Sequence, residues 1–279
     1  MEPPNNNPTP LRVRWSGLSD RGRVRKNNED SFLGLQFDAH EAHLLGKFGE
    51  ASLEKADLAF AVSDGMGGAM AGEFASRITV EKTTRLMPPA FKQAATGMQA
   101  GFADVLAELF AQVHRALTFL GESYEECEGM GATLSLCWFT PGWMHFGHIG
   151  DSRIYYLPAA GGIRQLSEDD TYVGWLFRNG KLNEREARMH PRKTVLQKAL
   201  GAGHQFADPQ VGRVAYESGD VFVLCTDGVI DGLWDDQIAG RIRAPEPADA
   251  ALDPAHRLVR AALERSGRDN TTAVVVEVL

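Results

Sequence analysis

Helix-like and strand-like segments follow one another in this chain in blocks, not in alternation, and that order excludes most architectures before composition is considered. Runs of β-branched, aromatic or alternating apolar residues predict strands at 57–63 (DLAFAVS), 133–139 (TLSLCWF), 143–149 (WMHFGHI), 153–157 (RIYYL), 220–226 (DVFVLCT) and 271–278 (TTAVVVEV). Pro141-Gly142, between two of them, predicts a hairpin. Two helical periods stand back to back after the first of these strands. Residues 71–86 place Ala71, Phe74, Ala75 and Ile78 on one face, and 103–120 align Val105, Leu106, Leu109, Phe110, Val113 and Leu117 in an apolar stripe. A short helix is predicted after Asn183, with Glu186 as its capping-box partner. Another is predicted over 254–266, with Asp253 as N-cap and Pro254 in the first helical position. A doubly wound parallel sheet needs a helix between successive strands, so the pattern predicts an α+β fold: antiparallel sheets with helices packed outside.

Composition narrows the function classes. The 279 residues carry 37 Asp+Glu against 29 Lys+Arg, a formal net charge of −8, so a nucleic-acid groove is not expected. No run of 18 apolar residues is present to span a membrane. The opening MEPPNNNPTP has neither the basic patch nor the apolar stretch of a secretory leader. Its Pro/Asn content predicts a disordered arm over 1–10, followed by one domain over 11–279. Cys127, Cys137 and Cys225 are widely spaced and odd in number, which fits a reducing cytoplasm better than a disulfide framework. Residues 38–54, with Asp38, Glu41, Glu50 and Glu54, read as a solvated polar connection.

The acidic residues are unevenly placed. Asp64 ends the strand of AFAVSDGMGG, Asp151 follows that of FGHIGDSR, and Asp227 follows that of VFVLCTDG. Asp269 precedes the last strand, and Glu29 and Asp30 precede or open another. Any one of these, taken singly, reads as a plain turn in preference to a ligand. Together they fit a second account, in which a sheet edge gathers carboxylates whose mutual repulsion a hard divalent ion relieves. Gly65, without a Cβ, would let its carbonyl approach such an ion. Asp231, Asp235 and Asp236 read as turn and cap residues. His148 reads as packed within a strand, and His190 as structural or at a cleft rim. GxxxxGK[ST], HExxH and GxSxG are absent.

In order along the chain stand SDRGRVRKNNEDSF, VSDGMGGAMAGEFAS, GMGATLSL, GHIGDSRIYYL, QLSEDDTYV, HPRKTVLQKALG, LCTDGVIDGLWDD and DNTTAVVVEV. These eight motifs resemble the metal-dependent protein serine/threonine phosphatases of the PPM type (type 2C), bacterial branch, from about residue 19 to the end. The resemblance implies a four-layer α-β-β-α sandwich with a flap at about 169–203. It implies two Mn²⁺ or Mg²⁺ ions, with a third weaker site. Asp64 would be the bridging carboxylate, Gly65 a carbonyl ligand, and Asp227 and Asp269 ligands of the second ion. Glu29 would act through water, with Asp30 orienting it. Asp151 would join Asp227 at the third site, and Asn270 would orient ligands from behind. Arg25 would hold the substrate phosphate, so Asp64, Asp227 and Arg25 would carry the catalysis.

The implied reaction is hydrolysis of phosphoserine or phosphothreonine in proteins by a metal-bound hydroxide, without a phosphoenzyme. Implied partners are phosphoproteins, including a cognate Ser/Thr protein kinase and its targets; a monomer is expected. Two alternatives stay open: an inactive phosphoprotein-binding relative, and a phosphatase of small phosphate esters. Met66 stands where eukaryotic members often have His, Ala132 replaces a Thr, and Asp169-Asp170 replaces the family's Asp-His. Tyr172, Trp175 and Phe177 read as core anchors of a flap helix in preference to substrate contacts.

Overall fold

The structure is a computed structural model that describes residues 12–96 and 101–279; the arm expected over 1–10 lies outside them. In chain order the strands are β1 (Arg12–Asp20), β2 (Asp30–Phe37), β3 (Ala42–Leu44), β4 (Phe48–Ser52), β5 (Asp57–Met66), β6 (Gly131–Ala132), β7 (Leu134–Thr140), β8 (Trp143–Ile149), β9 (Arg153–Leu157), β10 (Arg164–Gln165), β11 (Leu200–Gly201), β12 (Gln210–Ala215), β13 (Val221–Cys225) and β14 (Thr271–Val278). The α-helices are α1 (Ala69–Thr96), α2 (Phe102–Ser123), α3 (Tyr172–Arg178), α4 (Glu184–Met189), α5 (Asp227–Gly232), α6 (Asp235–Arg243) and α7 (Pro254–Arg265).

Two antiparallel sheets stack between two helical layers. One sheet runs β10-β9-β13-β14-β1-β4. In the other, β5 pairs with β2 along one side and with β7 and then β6 along the opposite side. Alternation along each strand feeds a different core from each face. In β14, Val274, Val276 and Val278 enter the core between the sheets, while Ala273 and Val275 face the helices. β5 does the same, with Leu58, Phe60 and Val62 between the sheets and Ala59 and Ala61 beneath α1 and α2. Because both faces of β14 are apolar, burial alone does not pin its register. Its polar start does: the Thr272 hydroxyl lies 2.7 Å from Asp30 of the other sheet.

The α+β sandwich thus follows the expected order, with two differences of detail. The sequence predicts that the first helix stops by 86, ahead of Pro88-Pro89, yet α1 continues to Thr96. A proline inside a helix costs about 3 kcal/mol in lost bonding and ring clash. Here Met87 and Ala90 are buried and Phe91 meets Phe37 edge-on at 6.1 Å, which offsets that cost. Residues 38–54 are not an unstructured connection but contain β3 and β4, and Glu50 lies between Arg12 and Arg14 on the neighbouring strand. These edge strands are only three and five residues long, and their large apolar residues, Leu44 and Phe48, face solvent, so no apolar run marks them.

Antiparallel pairing decides where the acidic residues meet. Asp30 stands opposite Asp64, Cys225 opposite both Arg153 and Ala273, and Asp20 opposite Thr271. The ends of β1, β5 and β13 and the starts of β2, β9 and β14 therefore share one edge of the sandwich.

Candidate metal centre

At that edge Asp30 fastens the two sheets together. Its Oδ2 accepts the hydroxyls of Thr226 at 2.8 Å and Thr272 at 2.7 Å. Its Oδ1 is buried with no hydrogen-bond partner. Burial pushes the Asp30 carboxyl up to about 7, against the pull of the two hydroxyls. Burial also raises Asp64 well above the usual carboxylate range, and Asp30, Asp227, Asp151 and Asp269 add to it. Asp227 is raised in the same way by burial and by Asp151, Asp269, Asp231 and Asp30. Burial, then Asp169, pushes Asp151 up to about 7. Glu29 rises through burial, with Arg25 pulling it back and Asp269 and Glu73 adding to the rise. Carboxylates from five separate segments thus feel one another, which is the convergence their strand-end positions predict.

The local backbone holds each in place. The Asp64 N–H donates to Thr133 Oγ1 at 2.9 Å, and the Thr133 N–H returns a bond to the Asp64 carbonyl at 2.8 Å. A Cβ on Gly65 would lie 1.9 Å from the Gly72 carbonyl oxygen, so no other residue fits between β5 and α1. Asp151 follows Gly150, whose φ of +114° lies in the region that favours glycine. The Gly150 N–H donates to Asp170 at 3.1 Å and the Asp170 N–H donates back to the Gly150 carbonyl at 2.7 Å. Asn270 is buried; it accepts the Glu29 N–H at 2.8 Å and donates to the carbonyls of Arg21 at 2.8 Å and Asn27 at 2.9 Å. One side chain therefore shapes the whole loop 21–29. Arg25, on that loop, donates to Asp269 Oδ2 at 2.7 Å and stays half-exposed at the mouth.

The donor set is entirely oxygen, which suits a hard divalent ion. The orphaned Asp30 Oδ1 and the mutually repelling buried carboxylates are what such an ion would relieve. Among the described residues, no three His, Cys, Asp or Glu side chains already close around one point. The carboxylates share a mouth, not a finished shell.

A family profile described as protein phosphatase 2C matches residues 47–267. The chain belongs to the protein phosphatase 2C family. It is 34% identical over 272 residues to the serine/threonine protein phosphatase PstP of Mycobacterium tuberculosis, covering 96% of this chain but only 46% of that relative's length. It is 29% identical over 261 residues to the serine/threonine phosphatase stp of Listeria monocytogenes, covering 93% of each. A crystal structure of the mycobacterial PstP superposes with a TM-score of 0.74 at 34% identity, covering 96% of this chain and 99% of that one. A structure of the PstP catalytic domain in complex with two manganese ions gives a TM-score of 0.72 at 31% identity, covering 96% and 99%.

Beside the carboxylates, this chain has a cleft of about 360 Å³. Asp151 and Asp227 lie in its wall, with Val173 and Phe177 of α3, Arg188 of α4, and Ile230 and Asp231 of α5. Several residues here were not legible in sequence. Asp231 and Asp235 are not merely turn and cap residues: Asp231 pairs with Lys193 across the cleft, and Asp235 accepts the Tyr155 hydroxyl at 2.9 Å. Arg153 makes a two-pronged pair with Asp169, at 2.9 and 2.7 Å. Trp175 and Phe177 are both 46% exposed, which overturns their reading as core anchors; Val173 is the buried residue of α3. Half-buried Tyr172 lies beneath the Arg192 guanidinium, 4.7 Å from ring centroid to carbon. A seven-residue helix is too short for apolar spacing to tell its buried face from its open one. His148 is packed as expected, bonded to Ser135 Oγ at 2.8 Å and to the Gly150 carbonyl at 3.1 Å. His190 ends α4, and its Nδ1 accepts the Arg192 N–H at 3.1 Å. Among the described residues no helix is long and apolar enough to cross a membrane.

Proposed function

We propose that this protein removes phosphate from phosphoserine and phosphothreonine in proteins, with divalent ions held at the shared sheet edge. The observation that carries the reading is the set of carboxylates from separate segments gathered at one edge, raised by burial and then by one another, beside the half-exposed Arg25. Its family membership and its similarity to named serine/threonine phosphatases support the substrate class.

Asp64, Asp227, Asp269 and the Gly65 carbonyl would hold two Mn²⁺ or Mg²⁺ ions. Asp151 with Asp227 would hold a third, and Glu29 would act through water. When bound, such ions supply positive charge to the phosphate and lower the pKa of water. Arg25 orients the phosphate, because a planar guanidinium matches two phosphate oxygens at once. Asp269 holds Arg25 in that attitude through the 2.7 Å bond. Asn270 keeps the Arg25–Glu29 loop against β14, so phosphate and ions are referred to one frame. Asp30 ties the two sheets beneath them. Preorganised charge of this kind supplies most of the rate in phosphoryl transfer. A cognate Ser/Thr protein kinase and its targets are the partners this reading implies.

Hydrolysis of a phosphothreonine peptide and of p-nitrophenyl phosphate, each with Mn²⁺ and with EDTA, tests it. Mn²⁺-dependent turnover of the peptide supports the reading. Turnover of the small ester alone moves the substrate class to small phosphates, and binding of phosphopeptide without turnover makes the protein a binding module. Turnover that survives EDTA refutes the ion dependence.

A further inference from the structure

The helix that begins with Asp227 is poorly built to stand alone. α5 has six residues, DGVIDG, two of them glycine. A helix this short has no stability of its own, each glycine costs about 1 kcal/mol relative to alanine, and its last carbonyls have no partners within the helix. The Val229 carbonyl takes the Leu233 N–H at 2.9 Å, while the carbonyl of Ile230 and that of Leu233, just past the helix, are met from another element. Arg188 of α4 donates Nη1 to the Ile230 carbonyl at 2.5 Å and to the Leu233 carbonyl at 3.0 Å. A cation at a helix C-terminus also opposes the partial negative charge there.

Arg188 is itself well held. Its Nε contacts Glu184 at 3.3 Å and its guanidinium lies 4.1 Å over the Trp234 ring, while buried Nη2 makes no hydrogen bond and has Asp235 at 3.7 Å. Its side chain is only 16% exposed, although α4 contributes no buried residue of its own. Lys193, just beyond α4, pairs with Asp231, one helical turn after Asp227. Two cations, Arg188 and Lys193, therefore join the flap to α5 and the residue after it.

We propose that Arg188 is a positioning residue that couples the flap to the carboxylate edge: by capping the end of α5, it sets the helix whose first residue is Asp227. The inference rests on the reading of Asp227 as an ion ligand. Removing the cap takes the Arg188 donor from the part-buried Ile230 and Leu233 carbonyls and lets α5 fray, so Asp227 loses its fixed position. A partner bonded directly to a ligand is worth about 10–100-fold in metal affinity; Arg188 acts one step farther out, so the low end of that range is expected.

The test compares wild type, Arg188→Gln and Arg188→Lys by Mn²⁺ titration calorimetry without substrate, and by amide hydrogen exchange in the presence of EDTA. The expected result for Arg188→Gln is Mn²⁺ affinity lowered about tenfold, with faster exchange across both 184–189 and 227–233. Arg188→Lys, which keeps the charge but not the fork, should fall between. If exchange quickens over 184–189 alone while 227–233 and Mn²⁺ affinity match wild type, Arg188 only anchors α4 and the coupling is refuted. If Arg188→Gln does not fold, Arg188→Lys carries the same comparison, and wild-type Mn²⁺ affinity in it refutes the proposal. None of these readouts needs turnover, so failure of the phosphatase reading is scored separately. Wild type that binds no Mn²⁺ overturns both.

Discussion

Asp57 offers the cleanest measurement of what buried charge costs in this fold, because it stands apart from the candidate ion site. It opens β5, is 8% exposed, and accepts the Trp138 indole N–H at 2.7 Å. Burial pushes its carboxyl up to about 6 from 3.8, against the pull of the Trp138 bond. A carboxyl raised on folding binds its proton more tightly in the folded state. Its contribution is therefore fully present below about pH 3.8 and is lost as pH rises through about 6. Each tenfold gain in proton affinity on folding is worth about 1.36 kcal/mol, so the limiting size is about 3 kcal/mol. Between about pH 8 and about pH 4.5 the two-state titration yields about 2 kcal/mol of this. Asp57→Asn can still accept the indole N–H but never ionises. Its stability relative to wild type should therefore be higher at about pH 8 than at about pH 4.5 by about 2 kcal/mol. At about 2.1 cal/mol/K per residue, the 279 residues convert that to a relative melting shift of about 3 °C. Urea and thermal unfolding of both proteins in EDTA, at the two pH values, measure the difference, and other titrating groups cancel in the comparison. A difference that does not change with pH would refute the reasoning, since it would mean that Asp57 keeps its ordinary acidity within the fold.

Three further outcomes are expected. Asp64→Asn should raise the melting temperature in EDTA, because a carboxylate raised by burial and four neighbouring acids costs stability at neutral pH, and should abolish Mn²⁺-dependent hydrolysis; a lower melting temperature would contradict the first half. Gly65→Ala should lose activity and about 1–3 kcal/mol of stability in urea unfolding, since its Cβ would meet the Gly72 carbonyl at 1.9 Å. Asn270→Ala should cost about 2–4 kcal/mol and raise KM for phosphopeptide more than it lowers the bulk fold's cooperativity, by releasing three backbone groups of loop 21–29; unchanged kinetics would show that the loop holds itself.

Local pattern went far in this protein because most of its strands are covered on both faces. β8, β9 and β14 begin and end where their apolar runs do, and α4 starts at Asn183 with Glu186 closing the capping box. β3 and β4 were not legible, because edge strands of three and five residues are too short to show an alternation. The end of α1 was missed for the opposite reason: burial of Met87 and Ala90 overrides the local penalty at Pro88-Pro89.

Local sequence marked which carboxylates could act together, since Asp64, Asp151, Asp227 and Asp269 all flank strands and strand ends are where side chains leave a sheet. That they share one edge was settled in three dimensions, because it depends on strand pairing within each sheet and on side-chain bonds between the sheets that join positions as much as 242 residues apart, such as those from Thr226 and Thr272 to Asp30. The tertiary structure alone decided the roles of Asp231, Arg153 and Arg188, whose partners lie in other elements. Spacing along a chain records the direction in which a side chain leaves its own helix or strand. It carries no record of which other element packs against it, and that packing sets charge, burial and affinity at this edge.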